Sequence, residues 1–280
     1  MDNKEGLNTY LNTIVLADAL EVLPKMPPDS VDLILTDPPY MISSEVTIKR
    51  SRNPLKYKYT GKDIKLHFGD WDTQWESKEA HREWMKAWMW EAFRILRKGG
   101  HFVCFVDAYE VSHYIEYGRL CGMVPRQMLH WIKKNPTPQA RKVSFMNAIE
   151  YAIWLTKETT SKRYATFNHE LGQHPNYLVH EIVPKHSKKD GTRIHPTQKP
   201  VKWCLWVINY LTKPGDTVLD PFCGGGTTCV AALKSQRNFI GIEIDPQYHL
   251  LAERRVKMAT AQGMLDFSEK SGEGEPICQE

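Results

Sequence analysis

Residues 217–243 read TVLDPFCGGGTTCVAALKSQRNFIGIE, and this stretch decides the fold. It opens on a short apolar strand, 217–220, and bends through a run of glycines. It continues as a helix over 227–235 and closes on a second apolar strand, 238–244. Apolar runs this short, with no polar face, suit strands covered by helices on both sides. The alternation repeats outward. Segments 12–18 (NTIVLAD) and Val31 to Thr36 (VDLILT) read as strands, 77–97 as a helix stopped by Lys98-Gly99-Gly100, and 101–106 as a strand. A helix near 109–121 follows, then strands over 126–134 and 148–156 separated by a loop holding Pro136 and Pro138. Helices at about 200–212 and 246–261 complete the set. Strands alternating with helices predict a doubly wound, parallel α/β sheet, which binds ligands at the carboxyl ends of its strands. Two unusual stretches follow strands directly: 37–40 (DPPY) and 220–228 (DPFCGGGTT).

The chain has 280 residues, 41% hydrophobic and 25% charged, enough to bury a real core and to exclude fibrous, disordered and low-complexity classes. No apolar run reaches the roughly 18–20 residues a membrane span needs. Met1 to Tyr10 is polar, unlike a signal peptide. The six cysteines (Cys104, Cys121, Cys204, Cys223, Cys229 and Cys278) form no CxxC pair. They read as reduced thiols of a cytoplasmic protein. His169, His174, His180 and His186 are spaced too irregularly for a ligand pair, so no metal is expected. The net charge of +4 permits a nucleic-acid partner without requiring one. Segment 41–67 concentrates that charge. Lys49, Arg50, Arg52, Lys56, Lys58, Lys62 and Lys65 face only Glu45 and Asp63, and the run reads equally as a solvated loop or a phosphate contact.

The glycine loop sits between a strand and a helix, as a nucleotide-binding turn must. It is no Walker A loop, because no Gly-Lys-Ser/Thr follows, and Cys229 stands where a dinucleotide fingerprint needs its third glycine. Asp220, just before the glycines, would repel a pyrophosphate and favour a ligand with positive charge. S-adenosylmethionine, with a sulfonium and an ammonium, has that polarity. Glu243 ends the next strand, where a carboxylate takes ribose hydroxyls.

The DPPY segment suits a different task. An exocyclic amine of adenine or cytosine is a weak nucleophile, because its lone pair is delocalised into the ring. Acceptors on its N–H bonds stabilise the positive charge that grows on nitrogen during attack. Asp37 offers a carboxylate, and the Pro38 carbonyl, on a backbone fixed by proline, offers a second acceptor. Being followed by proline biases Asp37 to an extended backbone. Tyr40 offers a flat face on which a base can stack.

Together, DPPY and DPFCGGGTT resemble the two signature motifs of the amino-methylating DNA methyltransferases. The catalytic motif comes first here, as in the permuted beta group of adenine-N6 and cytosine-N4 enzymes. His195 to Pro200 (HPTQKP), Phe239 to Glu243 (FIGIE), Ala17-Asp18-Ala19 and Phe68 to Asp72 (FGDWD) extend the likeness over most of 12–255. The resemblance implies a Rossmann-like, seven-stranded S-adenosylmethionine-dependent methyltransferase fold that acts on an extruded base of double-stranded DNA. It makes Asp37, Pro38, Pro39 and Tyr40 catalytic. It gives the cofactor to Asp220, Pro221, Phe222, Cys223, Gly224, Gly226, Thr227, Thr228 and Glu243, with Asp18, Asp37 and Lys199 beside them. Gly225 stands where a serine or similar small residue is more usual. Thr36-Asp37-Pro38-Pro39-Tyr40 looks like the adenine version, since cytosine-N4 members more often place serine at the position of Asp37. The cytosine-N4 reaction, an RNA or protein amide methyltransferase, and an inactive DNA-binding accessory protein are the alternatives.

By this reading the catalytic part spans 10–156, a target-recognition insertion 157–193, the cofactor-binding part 194–262, and a flexible tail 263–280. Lys49, Arg50, Arg52, Lys162, Arg163, Lys188, Lys189 and Arg193 are candidate phosphate contacts. Asn168, Gln173, Asn176 and the histidines near them are candidates for base edges, with 41–67 and Arg126 to Arg141 helping the insertion to read the surrounding sequence. Trp84, Trp88 and Trp90 fall on one helix and are expected in the core or at a contact between two copies. The resemblance further implies a bacterial or phage origin and raises a homodimer and a cognate restriction endonuclease as partners.

Overall fold

The computed structural model describes residues 6–40, 47–48, 64–65, 75–138, 143–157, 165–183 and 198–269. The candidate contacts Lys49, Arg50, Arg52, Lys162, Arg163, Lys188, Lys189 and Arg193 lie outside them, as do 68–72 and 195–197. The chain divides into two compact units, Pro39–Ala87 and the remainder.

The larger unit is built on strands β1 (Thr13–Leu16) and β2 (Val31–Thr36), with the single turn of α1 (Ala19–Val22) between them. The smaller unit holds the antiparallel pair β3 (Thr47–Ile48) and β4 (Ile64–Lys65). Helix α2 (Lys78–Ile95) carries the chain back to the larger unit. There follow β5 (Leu96–Val106), α3 (Val111–Leu120), β6 (Met123–Lys133), β7 (Ile149–Lys157) and β8 (Tyr177–His180). The last part is α4 (Val201–Leu211), β9 (Thr217–Asp220), α5 (Thr227–Lys234), β10 (Asn238–Glu243) and α6 (Pro246–Glu269). No helix of the described residues is long and apolar enough to cross a membrane.

One sheet runs through the larger unit in the order β1-β10-β9-β2-β5-β7-β6-β8. The first five strands are parallel, as expected, but β7 is antiparallel to both β5 and β6. The sheet is therefore mixed. Two parallel strands are usually joined through a helix, and the described residues of the proline-bearing loop from β6 to β7 form none. The seven strands implied by the resemblance are all present. An eighth, β8, comes from the 157–193 insertion and pairs parallel with β6.

The apolar strands are buried on both faces. Leu33, Ile34, Phe102, Val103, Val218, Leu219 and Ile240 are completely enclosed. Each such side chain contributes roughly 1.5–3 kcal/mol against leaving it exposed. Gly99 and Gly100 do not stop α2. They lie inside β5, where Gly99 takes φ +73° and the pairing with β2 slips between Val31 and Leu33. Trp88 is fully buried and Trp90 half exposed. Helix α6 runs on to Glu269, past the expected end at residue 261.

Candidate active site

The sheet order places the carboxyl ends of β1, β10, β9 and β2 side by side. After β9 the chain moves to β10, and after β2 it moves the opposite way to β5. The switch point of the sheet therefore lies between β9 and β2, where open α/β sheets bind their ligands. Asp220 ends β9 and Asp37 follows β2. Thr36 ties the two strand ends together, its hydroxyl donating to Asp220 Oδ1 at 2.7 Å.

Asp220 is buried, and burial pushes its carboxyl up to about 7, against the opposing help of Thr36, Thr228 and the Phe222 amide. The Phe222 N–H donates to Oδ1 at 3.2 Å. All these partners are neutral donors, so a ligand cation would bring the counter-charge the site favours. Glu243, at the end of β10, is raised by burial too. Its two oxygens accept the Gly224 N–H at 2.7 Å and the Asp245 N–H at 2.8 Å. The Ile244 N–H adds a third bond, which leaves the carboxylate capacity to accept from a hydroxyl. The same carboxylate thus shapes the glycine loop and remains able to take a diol.

Gly226 caps α5 in the left-handed region, φ +70°, and a Cβ there would lie 2.9 Å from Ala252 Cβ. Both demands require glycine. Gly226→Ala is expected to cost about 1–3 kcal/mol of stability and to weaken cofactor binding at least tenfold. Thermal melting with and without cofactor checks this. Cys223 and Cys229 are buried beneath the loop. The hydrogen bond between them, with burial, holds the Cys223 thiol well above its ordinary pKa, so it packs as a thiol. Phe222 meets the buried Trp88 edge-on, ring centroids 5.2 Å apart.

Lys199 is buried, and its ammonium ion-pairs with Asp37 Oδ2. It also stands 4.6 Å over the Phe105 ring centroid. Burial works against this charge, but Asp37 and then Glu150 outweigh it, and Lys199 ends above the usual lysine value. Glu150, on β7, pairs with Lys133 at 2.5 Å. Burial would raise its carboxyl, yet Lys199 and Lys133 hold it below the usual range. Charges thus alternate along one sheet edge: Asp37, Lys199, Glu150, Lys133. The resemblance implies Lys199 beside the cofactor; in the structure its ammonium rests on Asp37, which the resemblance places there too.

Asp18 lies two residues past Leu16, which pairs with Glu243 across β1 and β10. Its carboxylate caps α1 by accepting the Leu20 N–H at 2.8 Å. In the smaller unit, His81 Nε2 meets the Pro39 carbonyl at 2.9 Å and can donate to it, while the His81 ring packs against Trp75 and Trp84. Tyr40 is partly buried.

Four contributors escaped the sequence reading. Thr36 stood in the Thr-Asp-Pro-Pro-Tyr motif, but its bond to Asp220 was not foreseen. Glu150 was a lone carboxylate in another. His81 looked like an ordinary helix residue. Arg255, on α6, binds the Gly225 carbonyl and reaches Thr227 Oγ1 at 3.2 Å, and nothing in its sequence surroundings announces that. Two expected base readers are occupied instead. The Asn168 amide donates to the Asn209 and Thr212 carbonyls at 2.5 and 2.7 Å, and that of Asn176 to the Met128 carbonyl at 2.9 Å. Asn168 thus ties the insertion to the end of α4, and Asn176 ties it to β6. Among the described residues no group of three His, Cys, Asp or Glu side chains could hold a metal ion.

The sequence model of the DNA methylase family, the N6/N4 methyltransferases, matches residues 31–254. The chain belongs to this family. It is 32% identical over 267 residues to the type II methyltransferase M.HinfI of Haemophilus influenzae, covering 91% of this chain and 70% of that one. It is 29% identical to the type II methyltransferase M2.LlaDCHI of Lactococcus lactis subsp. cremoris, over 90% and 91% of the two chains. Among solved structures, the M1.HpyAVI–S-adenosylmethionine complex superposes with a TM-score of 0.62 at 25% identity, over 87% of this chain and 98% of that one. The PvuII cytosine-N4-specific DNA methyltransferase gives 0.64 at 20% identity, over 89% of each, a likeness of fold. The donor set of the N6/N4 methylase chain fits S-adenosylmethionine. Asp220 would face its cationic end and Glu243 would take the ribose hydroxyls.

Proposed function

We propose that this DNA methylase transfers the methyl group of S-adenosylmethionine to adenine N6 in double-stranded DNA, after drawing the target base out of the stack. The observation that carries the reading is an aspartate, not a serine, at the head of the Pro-Pro-Tyr motif, placed at the switch point and paired with a buried lysine. When bound, the cofactor supplies an electrophilic methyl on a sulfonium. The chain's own residues do the rest. Asp37 accepts one N–H of the amine and the Pro38 carbonyl accepts the other, so the nitrogen regains tetrahedral character as it attacks. The Asp37 carboxylate need not be a strong base, since the N–H becomes acidic only as the new bond forms. Tyr40 supports the plane of the extruded base, whose extraction costs a few kcal/mol. The kinship with type II methyltransferases supports a role beside a cognate restriction endonuclease in a bacterial cytoplasm.

Asp220 gives this reading a pH signature. Its carboxyl ionises near 7, and a cationic ligand favours the ionised form. Affinity for S-adenosylmethionine should therefore rise with pH up to that value, by at most about tenfold per unit, and level off above it. Asp220→Asn should be weak and flat across pH 6–8. Calorimetric titrations over that range check both.

The reading is tested by expressing the protein in a bacterial host that lacks DNA methylation and sequencing the unamplified DNA for modified bases. A single motif modified at adenine supports the proposal. Modification at cytosine, or of RNA only, overturns it.

A further inference from the structure

The loop joining β6 to β7 starts and ends at the catalytic edge. Because β7 is antiparallel to both neighbours, the carboxyl end of β6 and the amino end of β7 lie where β2, β9 and β10 present Asp37, Asp220 and Glu243. On this loop Phe145 is 98% exposed, Val143 82% and Met146 51%. Single exposed apolar side chains are ordinary, but three within four residues form a patch, and a patch marks a contact. The surrounding charge indicates with what. Residues 134–149, the loop itself, contain Lys134, Arg141 and Lys142 and not one Asp or Glu, while Lys133 before them is paired with Glu150. An apolar tip on a basic loop matches a duplex, whose phosphates meet the cations and whose base stack meets the ring.

Extracting a base leaves a gap in the stack, and a flat aromatic side chain fills such a gap better than water does. We propose that Phe145, flanked by Val143 and Met146, enters the DNA stack at the position the target base vacates. This rests on the reading of the chain as a methyltransferase acting on an extruded base. Phe145 then belongs to the extraction step and not to cofactor binding or to methyl transfer itself.

The test uses the full chain and two duplexes carrying the site mapped with the wild-type protein, one with the target base paired and one with it mispaired. A mispaired base leaves the stack at lower cost and depends less on a wedge. By fluorescence anisotropy, Phe145→Ala should bind the paired duplex about tenfold more weakly and the mispaired one within about twofold of wild type. Phe145→Trp should bind both as wild type does. Cofactor affinity and melting temperature should not change in either variant, because the ring touches water in the free protein. Equal losses on both duplexes would reduce Phe145 to a plain surface contact and overturn the proposal. So would no loss on either, or a change in molecular mass showing that the patch joins two copies. If the wild-type protein methylates no DNA at all, the functional reading fails first, and that outcome is separate from any effect of the variant.

Discussion

Asp37→Ala is expected to remove methyl transfer, by at least about 10²–10³-fold, while S-adenosylmethionine binds within about threefold of wild type. The two halves of this expectation have different origins. Asp37 follows β2, and in the proposed mechanism its carboxylate accepts from the reacting amine, so its loss strikes the step in which charge grows on nitrogen. In the proposed arrangement the cofactor would be held chiefly by Asp220 and Glu243, whose bonds to the Phe222 and Gly224 amides do not involve Asp37. Removing Asp37 also takes the ion-pair partner from the buried Lys199. Asp37→Asn is therefore measured alongside, because it keeps the volume and loses only the charge. Single-turnover rates and equilibrium cofactor titrations separate the effects. Loss of cofactor binding in the asparagine variant would contradict the assigned role.

Lys199→Met should have the second largest effect, on stability as well as rate. Lys199 and Asp37 form a pair whose side chains are only 7% and 21% exposed. Removing one member of a buried pair leaves the other charge poorly compensated, typically at about 3–5 kcal/mol. The Asp37 carboxylate then takes up a proton more readily. A protonated Asp37 accepts less well, so the residual rate should climb with pH across a range where the wild-type rate is flat. Lys199→Arg keeps the charge and should recover most of the stability but less of the rate, because a guanidinium does not fill the space of an ammonium over the Phe105 ring. Lys199 is thus a positioning residue, and the pH profile distinguishes that role from simple support of the fold. A methionine variant with wild-type melting and an unchanged profile would remove Lys199 from the account.

The parts of this molecule legible in the sequence were those set by local rules. VDLILT could only be a buried strand, and β2 covers those very residues, Val31–Thr36. The glycine loop announced itself because Gly226 must adopt a left-handed conformation against Ala252. Asp220 and Glu243 were readable because each ends an apolar strand. What escaped depended on strand partners chosen across long stretches of chain. The antiparallel course of β7 was hinted at by Pro136 and Pro138 in the sequence between β6 and β7, yet a general expectation of parallel strands overrode it. Thr36, Glu150 and Arg255 matter through neighbours that are respectively 184, 49 and 30 residues away, and no local pattern encodes such pairings. Asn168 and Asn176 likewise have partners far off in the sequence. Their amides suited a base edge, but the fold turns them toward backbone carbonyls.

The methylated base is identified by incubating the purified protein with unmethylated duplex DNA and S-adenosylmethionine, digesting the DNA to nucleosides and weighing them by mass spectrometry. N6-methyladenine is the expected product, absent when Asp37→Asn replaces the wild-type chain. N4-methylcytosine as the product would contradict the adenine assignment and would show that an aspartate at position 37 serves the cytosine amine equally well.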